Sequence, residues 1–436
     1  MRSTEFKRRR RQLMQMMSPG SVAILPAAPE VVRNRDVHYP YRPDSDFYYI
    51  TGFHEPEAIA VLIPGRKQAE YVLFCRERDE KRERWDGPRV GQEGAVRDYG
   101  ADDSFPIADI EEILPGLLEQ CSRVFYAMGS NPDLDKRLAD WVNQIRRKAR
   151  AGVHGPLEFV ALDHYLHEMR LYKSTSEVAL MRHAAKITSA AHTRLMQTCR
   201  PGTHEYELEA EFTHECASRG ARFQAYPAIV GGGGNACVLH YVENRDELKD
   251  GDLVLVDAGC EYGYYAADIT RTFPVNGRFT PPQRALYEVV LAAQEAAIAK
   301  VQPGSRWCDP HDAAVRAITK GLVELGLLKG TLSKLIKDQA YTRFYMHRTG
   351  HWLGMDVHDV GDYKVDGEWR ELEPGMTLTV EPGIYIPAGL RGVPKKFWNT
   401  GIRIEDDVLV TKNGHEVLTR DAPKSPDEIE ALMQRQ

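Results

Sequence analysis

Short apolar runs alternate with longer amphipathic stretches through the first 170 or so residues. SVAILPA, FYYITGF, AIAVLIPG, AEYVLFC and RVFYAMG are rich in β-branched and aromatic residues, so they read as strands. EEILPGLLEQC and LADWVNQIRRKAR carry helical spacing, the first around an internal proline, Pro115. This alternation predicts an α/β domain over 1–172.

The pattern changes at Leu171-Tyr172-Lys173. Ser174 and Glu177 have the spacing of a capping box, which predicts a helix start and opens a second domain over 173–436. Two long helical patterns follow, SEVALMRHAAKITSAAHTRLMQTC and EYELEAEFTHECASRG. Strands are expected at 228–242, 253–260 and 264–275. Helices are expected at 283–300, after Pro281-Pro282, and at 310–326. Strands return at 376–387 and 402–411, and the tail 421–436 is a weakly amphipathic helix. Helices interleaved with hairpins read as an α+β domain.

Two acids interrupt this apolar pattern. Asp257 follows Val254-Leu255-Val256, and Asp268 sits among Ala266, Ala267 and Ile269. A two-residue turn at Tyr262-Gly263 sets the two aspartates opposite each other on an antiparallel ladder, with Cβ atoms about 5 Å apart. Like charges so placed repel, and a buried unpaired carboxylate is costly. Either the face is open to water or a cation lies between them. Glu381 in MTLTVEPGIYI and Glu405 in GIRIEDDVLV repeat the anomaly. HRTGHWLGMDVHDVG, between Asp268 and Glu381, adds His347, His351 and His358. His347 and His351 are spaced as in a zincin helix, but Arg348 stands where that motif needs glutamate and Gly350 disfavours a helix.

Composition narrows the classes. The chain has 436 residues, 42% hydrophobic and 28% charged, with net charge −6. That is ordinary for a globular protein, and nothing argues for a nucleic-acid or anionic-membrane partner. The run Arg8-Arg9-Arg10-Arg11 reads as the solvated face of a first helix. No apolar run approaches a membrane span, and Leu13–Met17 is too short for a signal core. Seven scattered cysteines with no CxxC point to free thiols and a cytoplasmic protein. GGGG at 231–234 lacks the Lys-Ser/Thr of a phosphate loop and reads as a pliable turn that brings Asn235 and His240 towards the acids.

VDAG…ADITRTF, GHWLGMDVHD, VEPGIYI and IRIEDD, in that order, resemble the pita-bread metallopeptidases, and within them the aminopeptidase P subfamily. YPYRPDSDFYYITGF and RWDGPRVGQEGA resemble that subfamily's accessory domain, so the likeness spans nearly the whole chain. It implies a pita-bread catalytic fold, creatinase- and methionine-aminopeptidase-like, behind the α/β domain. It implies Asp257, Asp268, His351, Glu381 and Glu405 as ligands of two divalent metal ions. Four carboxylates and one imidazole make an oxygen-rich donor set that favours Mn²⁺ and leaves Zn²⁺, Co²⁺ and Fe²⁺ open. The implied reaction is removal of the first residue of a peptide with proline second, by a hydroxide bridging the metals. Glu381 would also relay the proton, and His358 and His240 would stabilise the intermediate. His347, Tyr385 and Arg403 would line the proline pocket, or merely orient the ligands. Trp85 would reach the site of a neighbouring copy in a dimer or tetramer.

Two other readings use the same scaffold. A prolidase cleaves only dipeptides and needs a cation for the free carboxylate, a role open to Arg391. A non-catalytic binding protein would typically have lost ligands, and all five are present here.

Overall fold

The computed structural model describes residues 3–434. The chain divides into two units, Met1–Met169 and Arg170–Gln436.

The first unit is built on a six-stranded mixed sheet among the described residues. From edge to edge its strands are Asp103–Pro106, Tyr71–Cys75, Ile59–Leu62, Ser21–Pro26, Arg123–Phe125 and Glu158–Val160. Ser21–Pro26 runs antiparallel to Ile59–Leu62 and parallel to Arg123–Phe125. The central strands are buried at every position but Pro26, which is why they read as unbroken apolar runs. The amphipathic helices Ile110–Leu118 and Pro132–Arg147 close one core with them, through Leu114, Leu138 and Trp141.

Two expectations fail here. FYYITGF is not a strand: Ser45–Thr51 is a helix, capped by Asp44, which accepts from the Phe47 amide at 2.8 Å, and ended by Gly52 at φ 70°. Phe47, Tyr49, Ile50 and Thr51 are all buried, so a short helix lacks the polar face that periodicity detects. The basic run is a solvated face only at Arg8 and Arg11, which are exposed. Arg9 and Arg10 are buried on the helix Ser3–Met17, donating to the carbonyls of Tyr49 and Ile50 at 3.0 Å each. Their guanidinium groups lie over the rings of Tyr49 and Tyr71. Trp85, on the short helix Glu80–Asp86, is 88% exposed.

The second unit opens with the helix Thr175–Thr198, whose Ser174–Glu177 capping box is formed in both directions. Helices Glu205–Ser218, Pro281–Ile298 and Asp309–Glu324 follow. They enclose small antiparallel sheets. One is Ile229–Gly232, Leu253–Asp257 and Thr270–Pro274; another is Thr377–Val380, Asp406–Thr411 and Gly414–Val417; Gly383–Ile386 pairs with Thr400–Arg403. The hairpin register differs from the expected one. Tyr262 pairs with Tyr265, so the turn is Gly263-Tyr264, with φ of 59° and 66°. Two positive values are the mark of a type I′ turn. Asp257 therefore faces Thr270, and Asp268 lies outside the ladder.

Candidate metal centre

The four acids share one design: each sits at the last position of a strand or just outside one. Asp257 closes Leu253–Asp257, and Asp268 precedes Thr270–Pro274 by two residues. Glu381 joins Thr377–Val380 to Gly383–Ile386, and Glu405 joins Thr400–Arg403 to Asp406–Thr411. A carboxylate there leaves the apolar strand face and turns into the space between sheets. His351 lies in irregular chain, not on a helix, held by its carbonyl accepting from the Thr379 amide at 2.9 Å. Gly350 makes that approach possible, because a Cβ there would meet the Thr379 oxygen at 2.0 Å.

All five line one cavity of about 780 Å³, together with His240, His347, His358 and Arg403. Ligand atoms of Asp268, His351 and Glu405 lie within 4.8 Å of one another. His351 Nε2 is 3.4 Å from Asp268 Oδ2 and 3.9 Å from Glu381 Oε1. His351 Nδ1 faces the Trp352 carbonyl at 2.9 Å, so Nδ1 carries a proton and Nε2 is the atom turned towards the acids; burial would lower the imidazole, but Asp268 and Glu381 raise it to about 9, so a metal ion would take the place of the proton on Nε2. That tautomer is the one a metal-binding imidazole requires.

Two residues that sequence reasoning missed hold the acids. Tyr226 donates to Asp257 Oδ1 at 2.7 Å and to Asp268 Oδ1 at 2.5 Å. Burial, and then the two aspartates, raise its hydroxyl well above the ordinary tyrosine value, so it stays a donor. Thr270 donates to Glu405 Oε2 at 2.6 Å and accepts from Arg403 Nε at 3.1 Å. Nothing in QAYPAIV or DITRTF marks a tyrosine or threonine as a partner of distant acids. Only the acids' own anomaly pointed to the region.

Arg403 does more than line a pocket. Its Nη2 donates to Asp257 Oδ2 at 2.6 Å and its Nη1 to the Tyr385 hydroxyl at 2.9 Å. Tyr385 in turn meets His347 Nε2 at 2.8 Å. His358 stacks edge-on against His351, with ring centroids 4.3 Å apart. Asn235 is drawn elsewhere: its amide donates to Glu205 and Asp246. His240, five residues on, does reach the cavity. Arg391 is exposed and outside the residues lining the cavity.

The donor set is out of balance without a cation. Burial raises Glu381 to about 7 and Glu405 well above the usual carboxylate range, and the neighbouring acids add to the Glu405 shift. Burial also raises Asp257, against the pull of Arg403. Burial would raise Asp268 too, but the His351 imidazole holds it below its ordinary value. Carboxylates crowded in this way ionise together only beside added positive charge. The residues present therefore fit divalent metal.

Residues 179–412 match the model of metallopeptidase family M24, and residues 6–126 match that of the aminopeptidase P N-terminal domain. The chain is 48% identical over 430 residues to the Xaa-Pro aminopeptidase of Escherichia coli K12, covering 98% of this chain and 97% of that protein. The Pseudomonas aeruginosa aminopeptidase PepP structure superposes with a TM-score of 0.98 at 61% identity, covering 99% of this chain and 98% of that one. A variant of Escherichia coli aminopeptidase P in complex with substrate superposes with a TM-score of 0.96 at 47% identity, covering 99% and 98%.

Proposed function

The chain belongs to metallopeptidase family M24, joined to an aminopeptidase P amino-terminal domain, and from that premise we propose how its residues divide the work of an Xaa-Pro aminopeptidase. The observation that carries the reading is the convergence of Asp257, Asp268, His351, Glu381 and Glu405 on one cavity. These five would hold two divalent ions, which would supply Lewis acidity and a nucleophilic water at neutral pH. One imidazole among four carboxylates favours Mn²⁺.

Glu381 turns its carboxylate into the cavity, where it would accept a proton from water and return it to the leaving proline nitrogen. That nitrogen needs the proton to leave as an amine, because an amide anion is too poor a leaving group. Burial, and then His351, lowers His358, so it is neutral and donates one N–H to the oxygen of the tetrahedral intermediate. His240 faces the same cavity and adds a second polar contact. His347 and Arg403 line the cavity as the wall for the proline ring, and the buried Tyr385 hydroxyl braces both from behind. Arg403 also fixes Asp257, so it orients a ligand while shaping the pocket.

The same reading has the protein acting in the cytoplasm as a homo-oligomer in which Trp85 meets a neighbouring copy's site. An 88% exposed tryptophan supports this, as do seven free cysteines. Among the described residues, no helix is long and apolar enough to cross a membrane.

The test is cleavage of Ala-Pro, Ala-Pro-Gly, a longer Xaa-Pro peptide and Ala-Ala-Gly. Release of the first residue from the second and third, and not from the fourth, is the expected outcome. Cleavage of the dipeptide alone marks a prolidase instead.

A further inference from the structure

A second cavity, of about 430 Å³, adjoins the metal cavity and shares Arg348, Gly350 and Tyr363 with it. Its chemistry is different. Trp307, Tyr363 and Trp369 give it aromatic walls, and Arg348 and Lys364 give it positive charge. The Trp307 and Tyr363 rings are 4.6 Å apart. Lys364 Nζ lies 4.5 Å and the Arg348 guanidinium 5.9 Å from the Trp369 ring centroid. Lys364 and Trp369 are register partners in the hairpin of Lys364–Val365 with Glu368–Trp369, which fixes that stack. Neither cation is in an ion pair among the described residues, and the field of Arg348 reaches Asp312 and His311.

Chain direction links the two cavities. His347, on the proline wall, bonds to Tyr385, and the next residue, Arg348, stands on the boundary. A peptide residue advances about 3.4 Å per step, so the residue after proline is within reach of a shared wall. The metal cavity keeps Ile229, Leu239 and Val242 as apolar surface for the first residue's side chain.

Building on the aminopeptidase reading, we propose that this adjoining cavity is the subsite for the residue that follows proline. Trp307, Tyr363 and Trp369 take its side chain, and Arg348 takes its carboxylate when it ends the peptide. The subsite selects for aromatic residues at the third position and for short substrates ending there.

The experiment compares Ala-Pro-Phe, Ala-Pro-Gly and the amide of Ala-Pro-Phe, on the wild-type metal-loaded protein and on Trp369→Ala and Arg348→Met. Wild type is expected to favour Phe over Gly, and acid over amide, through KM and by about tenfold each. Trp369→Ala is expected to collapse the Phe-over-Gly ratio, and Arg348→Met the acid-over-amide ratio, with kcat on Ala-Pro-Phe kept. Thermal unfolding of each variant confirms that it is folded. Equal KM across the three substrates in wild type overturns the proposal while leaving the aminopeptidase reading intact. So do variants that slow all three alike through kcat. No cleavage of any of the three by wild type fails the aminopeptidase reading itself.

Discussion

Arg403 Nη2 lies 2.6 Å from Asp257 Oδ2, and both side chains are largely buried. The guanidinium occupies one oxygen of an acid whose other oxygen accepts from Tyr226. Asp257 thus reaches the cavity in one orientation. Arg403→Met removes that restraint, the proline wall's link to Tyr385 and a buried charge partner together. A loss of about 10²-fold or more in kcat/KM on Ala-Pro-Gly is expected, with weaker metal retention measured by equilibrium dialysis.

Tyr226→Phe is the narrower change. It deletes the one hydroxyl that bridges Asp257 and Asp268 and keeps the ring. Metal affinity should fall about 10–100-fold, as for other groups that orient ligands. Calorimetric titration of the metal-free protein reads this directly, and unchanged affinity would remove Tyr226 from the design.

Glu381→Gln keeps size and removes the proton acceptor. Turnover should drop to background while the unfolding temperature stays near that of wild type, since the uncharged amide relieves crowding among the acids. Substantial residual activity would assign the proton relay elsewhere.

Acid stability is expected to depend on Asp359. Its carboxylate is buried between Lys173 Nζ at 3.0 Å and Arg170 Nη2 at 2.7 Å. Burial alone would raise it, but the two cations hold it below its ordinary value. A depressed folded value means the contribution is complete above about pH 4, the unfolded value, and is lost as pH falls through the folded one. Lys173→Met should destabilise by about 1.5–3 kcal/mol at pH 7, because Arg170 still compensates the carboxylate, with the deficit narrowing in acid. Urea unfolding at pH 7 and pH 3 measures both.

The legible parts of the chain were those with local signals. The Ser174–Glu177 box, the helices around 175–218, and acids stranded among apolar residues all declare themselves over a few positions. What stayed hidden depended on tertiary partners. The hairpin turn falls on Gly263-Tyr264 because Tyr264 adopts a left-handed φ of 66°, which no tyrosine announces. The shift moved Asp268 off the ladder, yet both aspartates still meet at Tyr226, which lies 31 and 42 residues before them in sequence. Arg9 and Arg10 looked solvated because their acceptors are the Tyr49 and Ile50 carbonyls, some forty residues downstream.

The central claim is that Asp257, Asp268, His351, Glu381 and Glu405 together hold two divalent ions. Anomalous diffraction from Mn²⁺-loaded crystals tests it most directly. Two peaks are expected, about 3.5–4 Å apart, both within bonding distance of these five side chains. One peak, or peaks bound by other residues, would contradict the claim.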